Sequence, residues 1–402
     1  MRVEFISVII NRWLFGLSEV YIAYWFQRLN KAESKYKTHV PQGMPPLDLT
    51  GRATSYFEFW PLWLMYLPVF FQWILLSIRH RSLTLPLIAN PAVPLSGMVG
   101  VAKSFVFEVA GDFARRWVLP WVVYEVSDKC VDIQAEQIVK LLSERSLSLP
   151  IVGKPNIGCR GVGVKLLQNK EELLEYLKWF PLGGSIQFQQ LSRWNAEAGV
   201  FYVRHPGSIK GEITSVTLKY TPYVVGDGES TLGELVGADP RAKNLQHLYT
   251  ARHAERWKKV IPRNEPYQLI FAASHSRGAI FRDAGEIFHD EGFLQTLDKI
   301  FEDIPGFFYG RLDIKFNNIQ SLSQGKDFEI IEINGASSES INIWDRNTKF
   351  GTAIKTLLQQ YDTLFKIGEK NRERGHKPPT LIALYKAWRY ETDLVKKYPL
   401  ND

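Results

Sequence analysis

The sequence predicts an α+β fold with mixed sheets and flanking helices, and three observations carry that prediction. Residues 307–316 and 328–334 are β-rich runs that alternate polar and apolar side chains across a short polar loop. Alternation with a period of two marks strands with one face buried. Between an apolar strand carrying Lys154 and a second strand lie three glycines in six residues, Gly158, Gly161 and Gly163, a turn-forming rather than helix-starting pattern. Helical segments at 133–145, 171–179 and 291–301 fall between the strand-like runs. At 402 residues, 45% hydrophobic and 23% charged, the chain is long enough for two or three domains with real cores.

In chain order, residues 5–29 read as an aromatic-rich amphipathic helix. Arg12, Glu19 and Arg28 form a sparse polar side, with Trp13, Phe15, Tyr21, Tyr24 and Trp25 among the apolar residues. Such a helix lies on a membrane or packs under another domain, and without a small-residue cleavage site it makes a poor signal peptide. Residues 59–78 carry no charge and are followed at once by Arg79-His80-Arg81. The length suits a bilayer span. Pro61 and Pro68 interrupt it, however, and Trp60, Trp63, Tyr66 and Trp73 are spread through it, which favours a segment lying in one leaflet, or entering and returning, over a clean span. The competing reading is a buried core segment. A net charge of +7 favours an anionic membrane surface or acidic substrates, and no nucleic-acid module is visible. The expected place is cytoplasmic, peripheral at the inner face of the membrane. Two cysteines, Cys130 and Cys159, argue against a disulfide framework and against a zinc site. Cys159 lies in the glycine loop, as a reactive thiol or an inert small residue.

Five regions follow: a hydrophobic N-terminal region, 1–84; a small lobe, 85–149; a lid lobe, 150–225; a metal lobe, 226–350; and a basic helical tail, 351–402, broken at Lys377-Pro378-Pro379.

The chemistry-bearing residues sit two apart. Arg311 and Asp313, and likewise Glu332 and Asn334, each point to one face of their strand, so pairing the strands gathers four polar groups on one surface. Mg²⁺ takes hard oxygens, commonly one or two carboxylates completed by water and nucleotide phosphate. Asp313 and Glu332 supply carboxylates, Asn334 a carbonyl, and Arg311 a fixed cationic fork for a phosphoryl group. Either pair alone is equally an ordinary half-exposed hairpin. With Lys154 and the glycines, which let backbone amides approach phosphate, the set points to ATP and Mg²⁺. The loop is neither a Walker loop nor a dinucleotide fingerprint.

In the order of these elements the chain resembles the ATP-grasp superfamily, notably the D-alanine–D-alanine ligases and the ATP-grasp module of cyanophycin synthetase, over roughly residues 85–350. The resemblance implies two α+β lobes clasping ATP. It implies Lys103, Lys154, Gly158, Gly161 and Gly163 as phosphate-side residues and Gln189, Gln190 and Leu191 on the adenine-side hinge. Asp313, Glu332 and Asn334 become metal ligands, with Arg311 and Lys219 as catalytic cations. Val225-Gly-Asp-Gly-Glu-Ser-Thr-Leu-Gly-Glu234 is close to a stretch in cyanophycin synthetase. The hinge reads Gln-Phe-Gln-Gln and lacks the family's acidic residue, so the ribose contact falls to another side chain, Glu197. Gly335-Ala-Ser-Ser-Glu339-Ser replaces the Pro-Gly loop of the D-alanine ligases, which points away from D-alanine and makes Ser337, Ser338 and Glu339 substrate-side candidates. His275, Arg277 and Arg282 suit a carboxylate or phosphate, or equally are solvated basic loop residues. Lys219 is equally a surface-strand lysine.

The implied reaction is a carboxylate–amine or carboxylate–thiol ligation through an acyl phosphate, releasing ADP and phosphate. Its partners are small-molecule or lipid-linked carboxylate and amine substrates. A phosphotransferase and a non-catalytic ATP-binding membrane protein are the alternatives.

Overall fold

The computed structural model describes residues 39–158, 161–288 and 291–399. The helix expected at 5–29, and Cys159, lie outside the described residues.

The first described helix, α1 (Leu62–Arg79), follows Pro61 and runs through Pro68. A proline inside a helix forfeits a backbone hydrogen bond, at a cost of about 3 kcal/mol. Met65, Tyr66, Val69 and Leu76 are buried on one side of α1, and at about 2 kcal/mol each their burial outweighs that loss. Trp63, Leu67, Phe71, Leu75 and Ile78 stand exposed on the other side. The segment is thus a helix with two apolar faces, one packed and one open.

α2 (Lys103–Val109) and α3 (Val131–Glu144) precede α4 (Lys170–Lys178), whose Asn169 cap accepts from the Glu172 amide. α5 (Leu232–Ala238) opens with a capping box between Thr231 and Glu234 and leads to α6 (Gln246–Arg252). α7 (Glu291–Glu302) is strongly amphipathic, and α8 (Phe350–Glu373) and α9 (Leu381–Val395) complete the chain. Lys377-Pro378-Pro379 separates the last two, as a proline pair must.

Two antiparallel sheets hold the molecule together. The smaller runs β1-β4-β2-β3, built from β1 (Trp121–Glu125), β2 (Ile151–Pro155), β3 (Lys165–Leu167) and β4 (Ser185–Gln190). It shares a core with α3 and α4, where Ile138, Leu173, Leu177, Ile186 and Phe188 meet. The larger runs β11-β10-β5-β6-β9, from β5 (Ala196–Val203), β6 (Glu212–Tyr220), β9 (Ile280–Asp283), β10 (Tyr309–Phe316) and β11 (Phe328–Asn334). β5 is buried at every position, as a central strand covered on both faces must be. α7 covers one face through Phe293, Leu297 and Phe301. A two-stranded ribbon, β7 (Tyr223–Val225) with β8 (Pro266–Gln268), stands apart.

These pairings redraw the boundaries read from the sequence. β1 and α3 belong with β2–β4, so the division at 149/150 cuts one sheet, and β6 pairs β9 across the division at 225/226. The tail also belongs to the body. α8 buries Leu357, Leu364, Phe365 and Ile367, and it packs against α1, where Gln72 donates to the Leu358 carbonyl at 2.9 Å and Trp73 meets Phe365 edge-on.

Candidate active site

β10 and β11 pair so that Asp313 faces Glu332 and Arg311 faces Asn334, with a bulge just after Asp313. All four therefore share one face. Arg311 grips the Asp313 carboxylate with two hydrogen bonds, 3.0 and 3.2 Å, and donates a third to the main-chain oxygen of Glu339 at 3.2 Å. Burial alone would raise the Asp313 pKa, yet Arg311 and Lys219 together hold it below the ordinary value.

Lys219 lies inside β6 rather than on a surface strand. Its ammonium is 2.5 Å from Glu197 and 3.6 Å from Asp313. Burial disfavours that charge, but the two carboxylates more than restore it and its pKa is raised. Glu197 also departs from the expectation of a ribose contact: Lys219 takes one oxygen and Lys315, at 2.8 Å, the other.

From the smaller sheet, Lys154 on β2 reaches across to the larger one. It donates to Gln189 Oε1 at 2.7 Å and to the Ile331 carbonyl of β11 at 3.0 Å. Burial brings its pKa down to about 8, and neighbouring Lys103 adds to the fall while Glu332 and Asp313 oppose it. Lys103, the first residue of α2, donates to the Gly158 carbonyl and sits 3.7 Å from Glu332. The loop, Glu332 and the two lysines are thus one connected set. Gln189 is spent on Lys154 and on the Leu119 carbonyl, so it positions a cation rather than meeting a nucleoside.

Gly158, Gly161 and Gly163 all hold positive φ, +155°, +68° and +71°, where a side chain is strained. The first two line the central cavity, while Gly163 packs on Pro155, outside its wall. Arg282 is also a correction. It alternates with cavity-lining Phe281 on β9, lies outside the wall, and burial near Arg346 lowers its pKa to about 10. His275 does line the cavity, clamped between the rings of Phe59 and Trp344, and its Nε2–H donates to the Glu58 carbonyl at 2.8 Å. Burial depresses its pKa and keeps the ring neutral. Arg277 lines the wall too, lowered to about 10 by burial and by Arg252.

Past Asn334, Ser337 donates to the Gly97 carbonyl at 3.0 Å and Ser338 to the Gly335 carbonyl at 2.6 Å. The Glu339 carboxylate accepts from the Tyr66 phenol and, at 2.8 Å, from the Trp344 indole. The cavity into which these residues face measures 2200 Å³ and brings together Lys103, Lys154, Gln190, Leu191, Lys219, Arg311, Asp313, Glu332, Asn334 and Glu339. Sequence reasoning missed Tyr66, Trp344, and Trp388 and Glu391 of α9, which also line it. Tyr66 was hidden in a run that reads as membrane-directed, and nothing in the local pattern of the tail announces a wall.

Among the described residues no three His, Cys, Asp or Glu side chains form a ready-made metal cage. The donor set nevertheless suits Mg²⁺ held jointly with phosphate. Glu332 stands beside Asp313 on the cavity face, its nearest cation 3.7 Å away, so its oxygens are open to a ligand, and Asn334 adds an amide oxygen.

No protein-family model and no curated protein matches the chain. Similar solved structures include the D-alanine–D-alanine ligase of Bacillus anthracis, 11% identical over 71% of this chain and 72% of that one, with a TM-score of 0.39. The VanG D-Ala:D-Ser ligase of Enterococcus faecalis is 11% identical over 69% of this chain and 64% of that one, TM-score 0.38. A bifunctional glutathione synthetase of Pasteurella multocida is 16% identical over 64% of this chain, TM-score 0.32, and the match spans only 36% of that enzyme. These three structures, at 11–16% identity, are ligases by name, and in this chain the Arg311–Asp313 and Glu332–Asn334 pairs share the cavity with Lys154.

Proposed function

We propose that the protein is an ATP-dependent carboxylate–amine ligase working through an acyl phosphate at the cytoplasmic face of a membrane. One observation carries the reading: Lys154 of the smaller sheet and Lys103 of α2 meet Arg311, Lys219, Asp313, Glu332 and Asn334 of the larger sheet across one cavity. Cations from two lobes facing carboxylates with open oxygens suit a polyphosphate and its metal.

ATP supplies the phosphoryl group, and Mg²⁺ bound by Asp313, Glu332 and Asn334 would neutralise phosphate oxygens. Lys154 and Lys103 hold the phosphate side. Lys219, fixed by Glu197, keeps Asp313 ionised. A substrate carboxylate oxygen bonds to the terminal phosphorus and ADP departs; an amine then bonds to the carbonyl carbon, phosphate departs and the amine loses a proton. Arg311 stands where charge develops on that carbonyl. The glycine loop and α9 keep water from the intermediate. Incubation with Mg-ATP, candidate acids and hydroxylamine should release ADP and trap a hydroxamate. AMP, or a stable phosphorylated product, overturns the mechanism.

The membrane part rests on the open stripe of α1, Trp63, Leu67, Phe71, Leu75 and Ile78, with Arg79 and Arg81 at its end. The protein should float with anionic vesicles, and Phe71→Ser with Leu75→Ser should leave it at the bottom of the gradient. Equal flotation of both sinks this part.

A further inference from the structure

The cavity is larger than a nucleotide and a small acid require. Its 2200 Å³ is about twice the upper end of ordinary small-molecule pockets. Its wall also changes character. Near Lys154 and Asp313 it is charged, whereas the stretch along α1 is formed by Val69, Phe70 and Trp73 with Leu87 and Met98. Glu339 marks the border. Arg311 holds its main-chain oxygen at 3.2 Å, and its carboxylate accepts from Tyr66 of α1 and from Trp344. A path of direct contacts therefore runs from Asp313 through Arg311 and Glu339 to Tyr66, and from there along the helix to Trp73, about 10 Å of α1.

We infer that the amine captured by the acyl phosphate is a long-chain alkylamine, its ammonium at Glu339 and its chain lying along the inner face of α1. The head follows from chemistry. Each Glu339 oxygen accepts one hydrogen bond and keeps lone-pair capacity for a cation, and the site lies beside Arg311, where the electrophile would stand. The tail follows from the stretch of wall along α1, where Val69, Phe70, Trp73, Leu87 and Met98 offer it apolar side chains. The same helix is apolar on its outer side, so a chain leaving a bilayer meets α1 first.

That this amine is a substrate rests on the ligase reading; that it binds does not. Calorimetry on the full chain, without ATP, should show n-alkylamine affinity rising up to about fourfold per methylene from butyl to decyl, with the matching n-alkanoates at least tenfold weaker. Val69→Phe, or Met98→Phe should the first fold poorly, should shorten the chain at which affinity stops rising. Glu339→Gln should erase the preference for amine over acid while length dependence persists, and Phe71→Ser, on the outer face, should change neither. Absence of length dependence, equal or better binding of acids, or sensitivity to Phe71→Ser instead of Val69→Phe overturns the proposal. Binding with no hydroxamate formed would sink the ligase and leave this site standing; hydroxamate without alkylamine binding would do the reverse.

Discussion

Lys154 carries a charge that its surroundings disfavour, and that makes it a reporter. Its pKa of about 8, set first by burial, means the ammonium is present below pH 8 and lost above it. A bound polyphosphate needs that charge, so ATP affinity should be flat below about pH 8 and fall roughly tenfold per unit above it. Lys154→Met should bind at least tenfold more weakly and show no such slope; titrations at several pH values decide. Asp313 tests the opposite sign. Its folded pKa is depressed, so its stabilising effect is complete above the ordinary value of 3.8 and disappears as pH falls through the lower folded value. Asp313→Asn leaves Arg311 and Lys219 buried with one anion fewer, and should cost about 3 kcal/mol at neutral pH. The gap to the parent protein should stay constant down to pH 4 and narrow only below it. A gap that shrinks between pH 7 and 5 would assign the stabilisation to another group.

At the scale of elements, the glycine loop makes a graded prediction. Gly161 has positive φ but room, the nearest atom to an added methyl being Ala272 at 3.6 Å, whereas at Gly163 that methyl would meet Pro155 at 2.7 Å. Gly161→Ala should therefore cost about 1 kcal/mol of backbone strain, and Gly163→Ala clearly more; thermal melts that reverse this order would show the loop relaxing differently. The elements that were legible have strong local periodicity. The helices expected at 133–145, 171–179 and 291–301 are Val131–Glu144, Lys170–Lys178 and Glu291–Glu302, and β10 and β11 follow their alternation. Pro68 misled because propensity is local while the packing of Met65, Tyr66 and Val69 that overrides it is not. Lobe boundaries misled for the same reason, since β1 finds β4 and β6 finds β9 across long stretches of chain.

Over the whole molecule, the site is where distant segments converge, and only those with their own chemical signature could be read in advance. Arg311, Asp313, Glu332 and Lys154 announce themselves by spacing and glycine context; Tyr66, Trp344 and α9 reach the cavity through tertiary packing alone. α9 is the farthest of these in sequence and the most consequential. Glu391 accepts from the Gly100 amide at 2.5 Å, and just beyond the helix Tyr398 donates to the Ile157 carbonyl at 2.6 Å. The Tyr398 ring also lies beside Gly158 and its Cβ beside Gly163, so the segment that follows α9 is fastened to the glycine loop. A neutral hydrogen bond of this kind contributes about 1 kcal/mol, which corresponds to about a fivefold change in how often the loop opens. Tyr398→Phe keeps the ring and removes only that bond. Amide exchange in a peptide covering residues 151–167 should quicken about fivefold while β10 and β11 are unchanged, and ADP release without acid substrate should rise as water enters. If exchange in the loop stays as it was, Tyr398 is a passive cover, and the restraint on the loop lies with Lys103 and its bond to Gly158.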